Sequence, residues 1–302
     1  MKKQTKLLTA IFAAVFAFSL AVSCGNSAES GSSDSLSAKE SLSESTEESL
    51  SASGNETESA SDPTESSESD SAKEPEEEHT PSKFEEKKIK TSQLELNYIL
   101  YTPADATENM PLIVYLHGGS GKGNDLSLLY SVDGFPQYVK EEKLGDIGAY
   151  VIMPQLPKDK KGWTDISASL RELIGKTISD YKTDAARVSL TGHSMGGTGT
   201  WGIALAYPEV FSCIAPMSGS LKTTDENVAL LKDVPVWAFV GSADTIVSPQ
   251  YSIDFVNALK SAGGDATLTT FDGADHFSVP SLAYLSDEYN VVSWLTSHRK
   301  AA

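Results

Sequence analysis

Cysteine is nearly absent from this chain: two in 302 residues, Cys24 and Cys213. That excludes a disulfide-stapled scaffold and a Cys-rich zinc site. Histidine is scarce as well, with five, so any proton-transfer chemistry has few imidazoles to draw on. Basic residues are in the minority, 24 Lys and Arg against 42 Asp and Glu, a formal net charge of −18. No basic patch stands out, which argues against nucleic acid as a partner. No apolar run reaches the roughly 20 residues that a membrane-spanning helix needs. Nothing forms a metal-type Cys/His cluster, and no metal or organic cofactor is expected.

What is present divides into three parts. Residues 1–23 pair a basic start (Lys2, Lys3, Lys6) with LLTAIFAAVFAFSLAVS, an uncharged apolar run of 17 residues. A short apolar core behind a basic flank, with small residues before Cys24, reads as a cleaved export signal. LAVSCGN resembles a lipobox, in which the cysteine becomes the lipidated first residue after cleavage. Cys24 is therefore expected to anchor the chain in the membrane through its lipid, at the outer face of a bacterial cell. Ordinary secretion is the alternative. Residues 25–82 hold 16 Asp and Glu against two Lys, a net −14 of the chain's −18. Such a Ser/Glu-rich segment has too little to bury to offset its ordering entropy. It is expected to be a disordered tether with an r.m.s. span of roughly 40 Å, extended further by charge repulsion.

Residues 83–302 are enough for one sizeable core. Short apolar runs (PLIVYLHGG, AYVIMPQ, RVSLTGHS, CIAPMSG, VPVWAFVGSAD, ATLTTFDGADH) alternate with helix-compatible segments at 167–181, 197–211 and 248–263 and near the C-terminus. The alternation predicts an α/β domain, a mostly parallel sheet with helices on both faces. Ligands in such sheets sit at the carboxyl ends of the strands. Cys213, in the apolar run FSCIAP, is expected to be a small buried filler.

TGHSMGGTGTW, residues 191–201, falls where a strand (VSLT) passes into a helix (TGTWGIALAYP). A serine at the apex of so tight a turn needs glycine two residues to either side, because the close helix leaves no room for a Cβ. Gly192 and Gly196 occupy those places, and Gly197 adds clearance. The helix N-terminus directs its free N–H groups toward developing negative charge at Ser194. Ser194 thus reads as a nucleophile. A serine hydroxyl also needs a base and an acid to orient that base. His79 lies in the tether and His298 near the C-terminus. His193 adjoins the serine too closely to face its oxygen, and His117 opens a Gly-rich loop where it serves the backbone. That leaves His276, in DGADHFS. The acid is expected to be Asp244, 50 residues after Ser194 and 32 before His276, with Asp272 and Asp275 as alternatives. Two backbone N–H groups would hold an oxyanion, those of Met195 and Gly119. The loop HGGSGKGND lacks the G-x-x-x-x-G-K-[ST] spacing of a phosphate cradle.

With LHGGSGKGND, VIMPQ, RVSLTGHSMGGTGTWGIALAYPEVFSCIAPMSG, PVWAFVGSADTIVSP and GADHF in this order, the span from about residue 90 to 294 resembles the α/β-hydrolase fold. It is most similar to the bacterial esterase and predicted-peptidase branch, near feruloyl esterases, acetylxylan esterases and dienelactone-hydrolase-like proteins. The order Ser, Asp, His is that of α/β-hydrolases. The resemblance implies hydrolysis of carboxylic esters through an acyl-enzyme. Only 14 residues (220–233) separate CIAPMSG from VPVWAFVG, where hydrolases that carry a large lid insert it. An open site without a large lid suits acetyl or feruloyl esters on a polysaccharide, although a small ester-bearing molecule would also fit. Trp163, in KKGWTD, and Ser120 are candidates for substrate contact, with a core position as the other reading of Trp163. Members of the branch often carry a second tryptophan beside the position of Trp163, absent here. A serine peptidase of the same fold and a non-catalytic surface binding protein remain as alternatives. Nothing in the sequence bears on oligomeric state.

Overall fold

The computed structural model describes residues 79–132 and 134–300. The export segment, Cys24 and residues 25–78 lie outside the described residues. The folded part reaches back a few residues beyond the expected boundary at 83. The backbone N–H of Thr80 donates to Asp105 Oδ1 at 2.7 Å, and the Asp105 N–H donates to the Thr80 carbonyl at 3.0 Å.

Eight strands form one sheet: β1 Lys83–Lys90, β2 Glu95–Thr102, β3 Leu112–Leu116, β4 Tyr150–Pro154, β5 Val188–His193, β6 Cys213–Met217, β7 Val236–Gly241 and β8 Ala266–Phe271. Their spatial order is β1-β2-β4-β3-β5-β6-β7-β8. β2 runs antiparallel to both β1 and β4, and every other pairing is parallel. The sheet is mostly parallel, as the alternating pattern predicts. LIVYL, YVIMP and CIAPM are buried at every position, which is what a parallel strand covered on both faces requires.

Neither antiparallel strand is among the runs the sequence picks out, and for the first of them, β1, the reason is physical. KFEEKKIK carries six charged residues and buries only Ile89. It is an edge strand whose charges discourage pairing with another chain.

Among the described residues eight α-helices flank the sheet: α1 Ser127–Tyr130, α2 Phe135–Lys140, α3 Ser167–Tyr181, α4 Met195–Ala206, α5 Asp225–Leu231, α6 Gln250–Ser261, α7 Val279–Tyr284 and α8 Val291–Ser297. In α3 the buried apolar residues are Leu170, Leu173 and Ile174, with Thr177 completing the stripe. That i, i+3, i+4, i+7 spacing is a helix burying one face. In α6 Ser252, Phe255, Val256 and Leu259 repeat it. These two helices and α4 pack on one sheet face against Val114, Ile152, Leu190 and Ile214. On the other face α2, α7 and α8 bring Phe135, Tyr138, Val279 and Leu295 against Ile113, Val151 and Phe239. Each such buried side chain contributes about 1.5–3 kcal/mol relative to exposure. Cys213 lies in this second core, with burial pushing its thiol up to about 12. It is an inert filler.

Between β6 and β7 the described chain forms only a loop and the seven-residue α5. The carboxyl ends of β3, β5, β6, β7 and β8 therefore lie side by side, without a large lid inserted between β6 and β7.

Candidate active site

The carboxyl end of β5 delivers the chain to Ser194 at φ 61, ψ −121. A side chain other than glycine rarely adopts such a backbone, and holding it there costs on the order of 1–3 kcal/mol. The surroundings impose it. The Ser194 N–H donates to the Met217 carbonyl on β6 at 2.9 Å, and the Thr198 N–H donates to the Ser194 carbonyl at 2.9 Å. A Cβ on Gly192 would sit 2.5 Å from the Leu116 carbonyl oxygen, and one on Gly196 would overlap that same oxygen. Both glycines are needed because helix α4 is driven hard against the end of β3.

Two loops complete the set around the hydroxyl. His276 follows β8, and its Nε2 lies 2.8 Å from Ser194 Oγ. Its Nδ1 lies 2.7 Å from Asp244 Oδ2, on the loop after β7. The ionised carboxylate accepts the Nδ1 proton, which leaves Nε2 as an acceptor for the serine O–H. Asp244 Oδ1 accepts the N–H groups of Ile246 and Val247, each at 2.9 Å. Burial works to raise the Asp244 carboxyl. The hydrogen bonds from His276, Val247 and Ile246 outweigh burial and hold it below its ordinary value. The two alternative acids are occupied elsewhere. Asp272 Oδ1 accepts from Ser242 Oγ at 3.1 Å, and Asp275 Oδ1 caps its own turn by accepting from the N–H groups of Phe277 and Ser278.

The loop after β3 passes beside the serine, where a Cβ on Gly118 would lie 3.5 Å from Ser194 Cβ. His117 governs its shape. The Leu156 N–H donates to His117 Nε2 at 2.9 Å, so the proton sits on Nδ1, which donates to the Gly118 carbonyl at 2.6 Å. The Gly121 N–H also donates to that carbonyl, at 3.2 Å. In a trans peptide the carbonyl and the following N–H point in opposite directions. Drawing the Gly118 carbonyl toward His117 therefore turns the Gly119 N–H the other way, to the open side of the loop. Burial pushes the His117 imidazole down to about 4, which keeps Nε2 unprotonated and able to accept.

Gln155 holds the far half of the same loop. Its Nε2 donates to the carbonyls of Gly121 at 2.9 Å and Asp125 at 2.7 Å. The Gly123 N–H donates to the Leu156 carbonyl at 3.0 Å. The motif VIMPQ is visible in the sequence, but only the fold brings its glutamine under a loop some 30 residues earlier.

Met195, the first residue of α4, has no intrahelical acceptor for its N–H. That N–H and the Gly119 N–H are the pair the sequence singles out. Ser120 is exposed beside Gly119. Trp163 corrects the sequence reading. It is 1% exposed, its Nε1–H donates to the His117 carbonyl at 3.1 Å, and its ring packs edge-on to His117. It supports the loop from beneath and does not face a ligand.

His193, adjacent to the serine, was set aside as a base, and the structure gives it a different task. Its Nε2 lies 2.8 Å from the His276 carbonyl oxygen, and the two rings pack at 4.7 Å. Burial, with the neighbouring His276 second, pushes the His193 imidazole down to about 4. At neutral pH it is an uncharged N–H donor to the backbone of His276.

Comparisons with known proteins agree with this architecture. Acetylxylan esterase A of Emericella nidulans is 28% identical over 130 residues, 39% of this chain and 40% of that protein. Feruloyl esterase B of Neurospora crassa is 31% identical over 131 residues, 39% of this chain and 42% of that protein. The chain thus matches less than half the length of either relative. A thermostable esterase of known structure superposes with a TM-score of 0.61 at 25% identity, covering 72% of this chain and 63% of the other. The Esterase family model, described as "Putative esterase", matches residues 93–267, more than half of the chain. This chain is a member of the Esterase family, on an α/β-hydrolase fold.

Proposed function

We propose that this chain is a serine hydrolase that cleaves carboxylic esters through an acyl-enzyme, with acyl groups carried on carbohydrate polymers as its substrates. One observation carries the reading: Ser194 Oγ, His276 and Asp244 form a hydrogen-bonded chain with separations of 2.8 and 2.7 Å at the tip of a strained strand-to-helix turn. Nothing in folding alone calls for a buried Asp–His pair beside a serine held at positive φ. The acetylxylan and feruloyl esterase relatives support the substrate class, as does the short connection between β6 and β7.

The chemistry follows from the geometry. Ser194 Oγ attacks the acyl carbonyl carbon while His276 Nε2 takes the hydroxyl proton, and Asp244 stabilises the resulting imidazolium. The carbonyl π pair moves to oxygen, where the N–H groups of Met195 and Gly119 hold the negative charge. Each such donor contributes about 3–4 kcal/mol to the transition state. Collapse of the tetrahedral intermediate breaks the bond to the alcohol oxygen, which takes the proton from His276 Nε2. Water then repeats the sequence on the acyl-enzyme. Asp244 stays ionised because its hydrogen bonds hold its carboxyl low.

The same reading tethers the domain at the outer face of the cell membrane through a lipid on Cys24. LAVSCGN and the acidic segment 25–82 support it. Cys24→Ala should release the protein from the membrane fraction.

The test of function is hydrolysis of 4-nitrophenyl acetate, acetylated xylan and methyl ferulate beside a peptide amide, with Ser194→Ala as control. Ester turnover lost in the variant is expected. Amide turnover in preference to every ester would assign a peptidase instead.

A further inference from the structure

The two most exposed large apolar side chains among the described residues are Phe277, at 67%, and Ile246, at 58%. Neither lies at random. Phe277 directly follows His276, and Ile246 stands two residues after Asp244. The third, Tyr251 at 48%, begins the helix into which the Asp244 loop runs. Isolated exposed apolar residues are normal, but exposure concentrated in one place marks a contact surface.

Both leading side chains are held outward by fixed backbone. Asp275 Oδ1 accepts the Phe277 N–H at 3.1 Å and the Ser278 N–H at 2.9 Å. Asp244 Oδ1 accepts the Ile246 and Val247 N–H groups, each at 2.9 Å. The two loops are joined through the Asp244–His276 bond of 2.7 Å, and the Phe277 ring stands edge-on to the His276 ring at 5.3 Å between centroids. Two rigid turns thus present an aromatic face and an aliphatic side chain beside the imidazole.

We propose that Phe277 is the subsite for the alcohol half of the ester, with Ile246 on the adjoining Asp244 loop, and that it takes a sugar ring stacked on the Phe277 face. This rests on the esterase reading above. His276 Nε2 must reach the leaving oxygen to protonate it, so whatever is bonded to that oxygen lies on the His276 side of the serine. Of the oxyanion pair, Met195 begins α4 beside the serine and Gly119 lies on the loop after β3, across β5 from the His276 loop, so the alcohol half meets Phe277 first. A sugar suits the surroundings better than a fatty alcohol does. The apolar surface is one open ring rather than a closed groove, and Asp272 and Asp275, on the same loop, are exposed as acceptors for hydroxyl groups. The C–H face of a pyranose covers the ring while its hydroxyls stay among water and carboxylates.

Two measurements test this. The first is binding of unesterified xylotriose, followed by NMR titration of the wild type, Phe277→Ala, Phe277→Trp and, as a control from a remote face, Leu230→Ala. Phe277→Ala should weaken binding at least fivefold, and Phe277→Trp should restore it. The second is the ratio of kcat/KM on acetylated xylotriose to kcat/KM on ethyl acetate, in which any general loss of activity cancels. The ratio should fall about tenfold in Phe277→Ala, recover in Phe277→Trp and stay at the wild-type value in Leu230→Ala. An unchanged ratio, or equal xylotriose binding by wild type and Phe277→Ala, overturns the subsite. Xylotriose binding that depends on Phe277 in a protein that hydrolyses no ester upholds the subsite and sinks the esterase reading, so the two failures are told apart. A ratio that falls only when the sugar is replaced by a long-chain alcohol overturns the sugar assignment.

Discussion

The loop after β3 and the loop after β8 flank the same serine but are held by opposite means. The first is fastened from beneath by buried groups: the His117 ring, packed on Trp163 and accepting the Leu156 N–H just past the end of β4, and Gln155 with its two carbonyl acceptors. The second is fastened by carboxylates: its own Asp275 closes the turn at Phe277, and Asp244, on the neighbouring loop after β7, holds His276 while accepting the N–H groups of Ile246 and Val247. The difference matches what each loop must do. A donor that stabilises an oxyanion has to be fixed before charge develops. The imidazole has to be oriented yet remain beside solvent and substrate.

Removing the acid on the His276 side should have the largest effect. Asp244→Asn keeps the shape but lets the imidazole choose the wrong tautomer, and kcat is expected to fall on the order of 10⁴-fold. If the fall is under tenfold, Asp244 is not the orienting acid, and Asp272 or Asp275 comes back into consideration.

Acid should act on both loops through the buried histidines that brace them, His117 within the β3 loop and His193 at the end of β5. His117 and His193 are held near 4 against an ordinary 6.5. Between those values the unfolded chain takes up protons that the folded chain does not, so stability is lost as pH falls from 6.5 to 4. The loss is about 3 kcal/mol for His117 and somewhat less for the partly exposed His193. Chemical denaturation at a series of pH values should show this slope, and His193→Gln should remove its share. A flat profile over that window would mean that neither imidazole is held neutral.

Gln155→Met keeps the length of the side chain and removes both donors to the β3 loop. Small displacements of a catalytic group cost up to about 10² in rate, so kcat should fall tenfold to a hundredfold with KM within twofold of wild type. Equal losses on kcat and on global stability alone would make Gln155 a packing residue. His193→Phe preserves the ring stack on His276 and deletes one hydrogen bond to its carbonyl. The expected loss is the smallest, about fivefold in kcat, since a single hydrogen bond contributes about 0.5–1.5 kcal/mol.

The same contrast explains what could be read in the sequence. Ser194, Asp244 and His276 were legible because each sits in a short local pattern: glycines around a serine, a strand ending in GSAD, a turn reading DGADHF. Their order along the chain completed the reading. Gln155 was not legible as a functional residue because its partners, Gly121 and Asp125, lie on another strand's loop and are joined to it only by tertiary pairing. Trp163 was misplaced for the same reason. A tryptophan in KKGWTD reads equally as a substrate contact or a core residue until its N–H is found on the His117 carbonyl. β1 escaped because an exposed edge needs no apolar alternation, whereas β2 lies inside the sheet and buries Leu96, Ile99, Leu100 and Tyr101.

The central claim is that Ser194 is the nucleophile, and covalent trapping tests it most directly. The protein treated with a fluorophosphonate and examined by mass spectrometry should gain one adduct, located on Ser194 in the segment 191–201, and Ser194→Ala should gain none while remaining folded. An adduct on another residue, or ester hydrolysis that persists in Ser194→Ala, would contradict it.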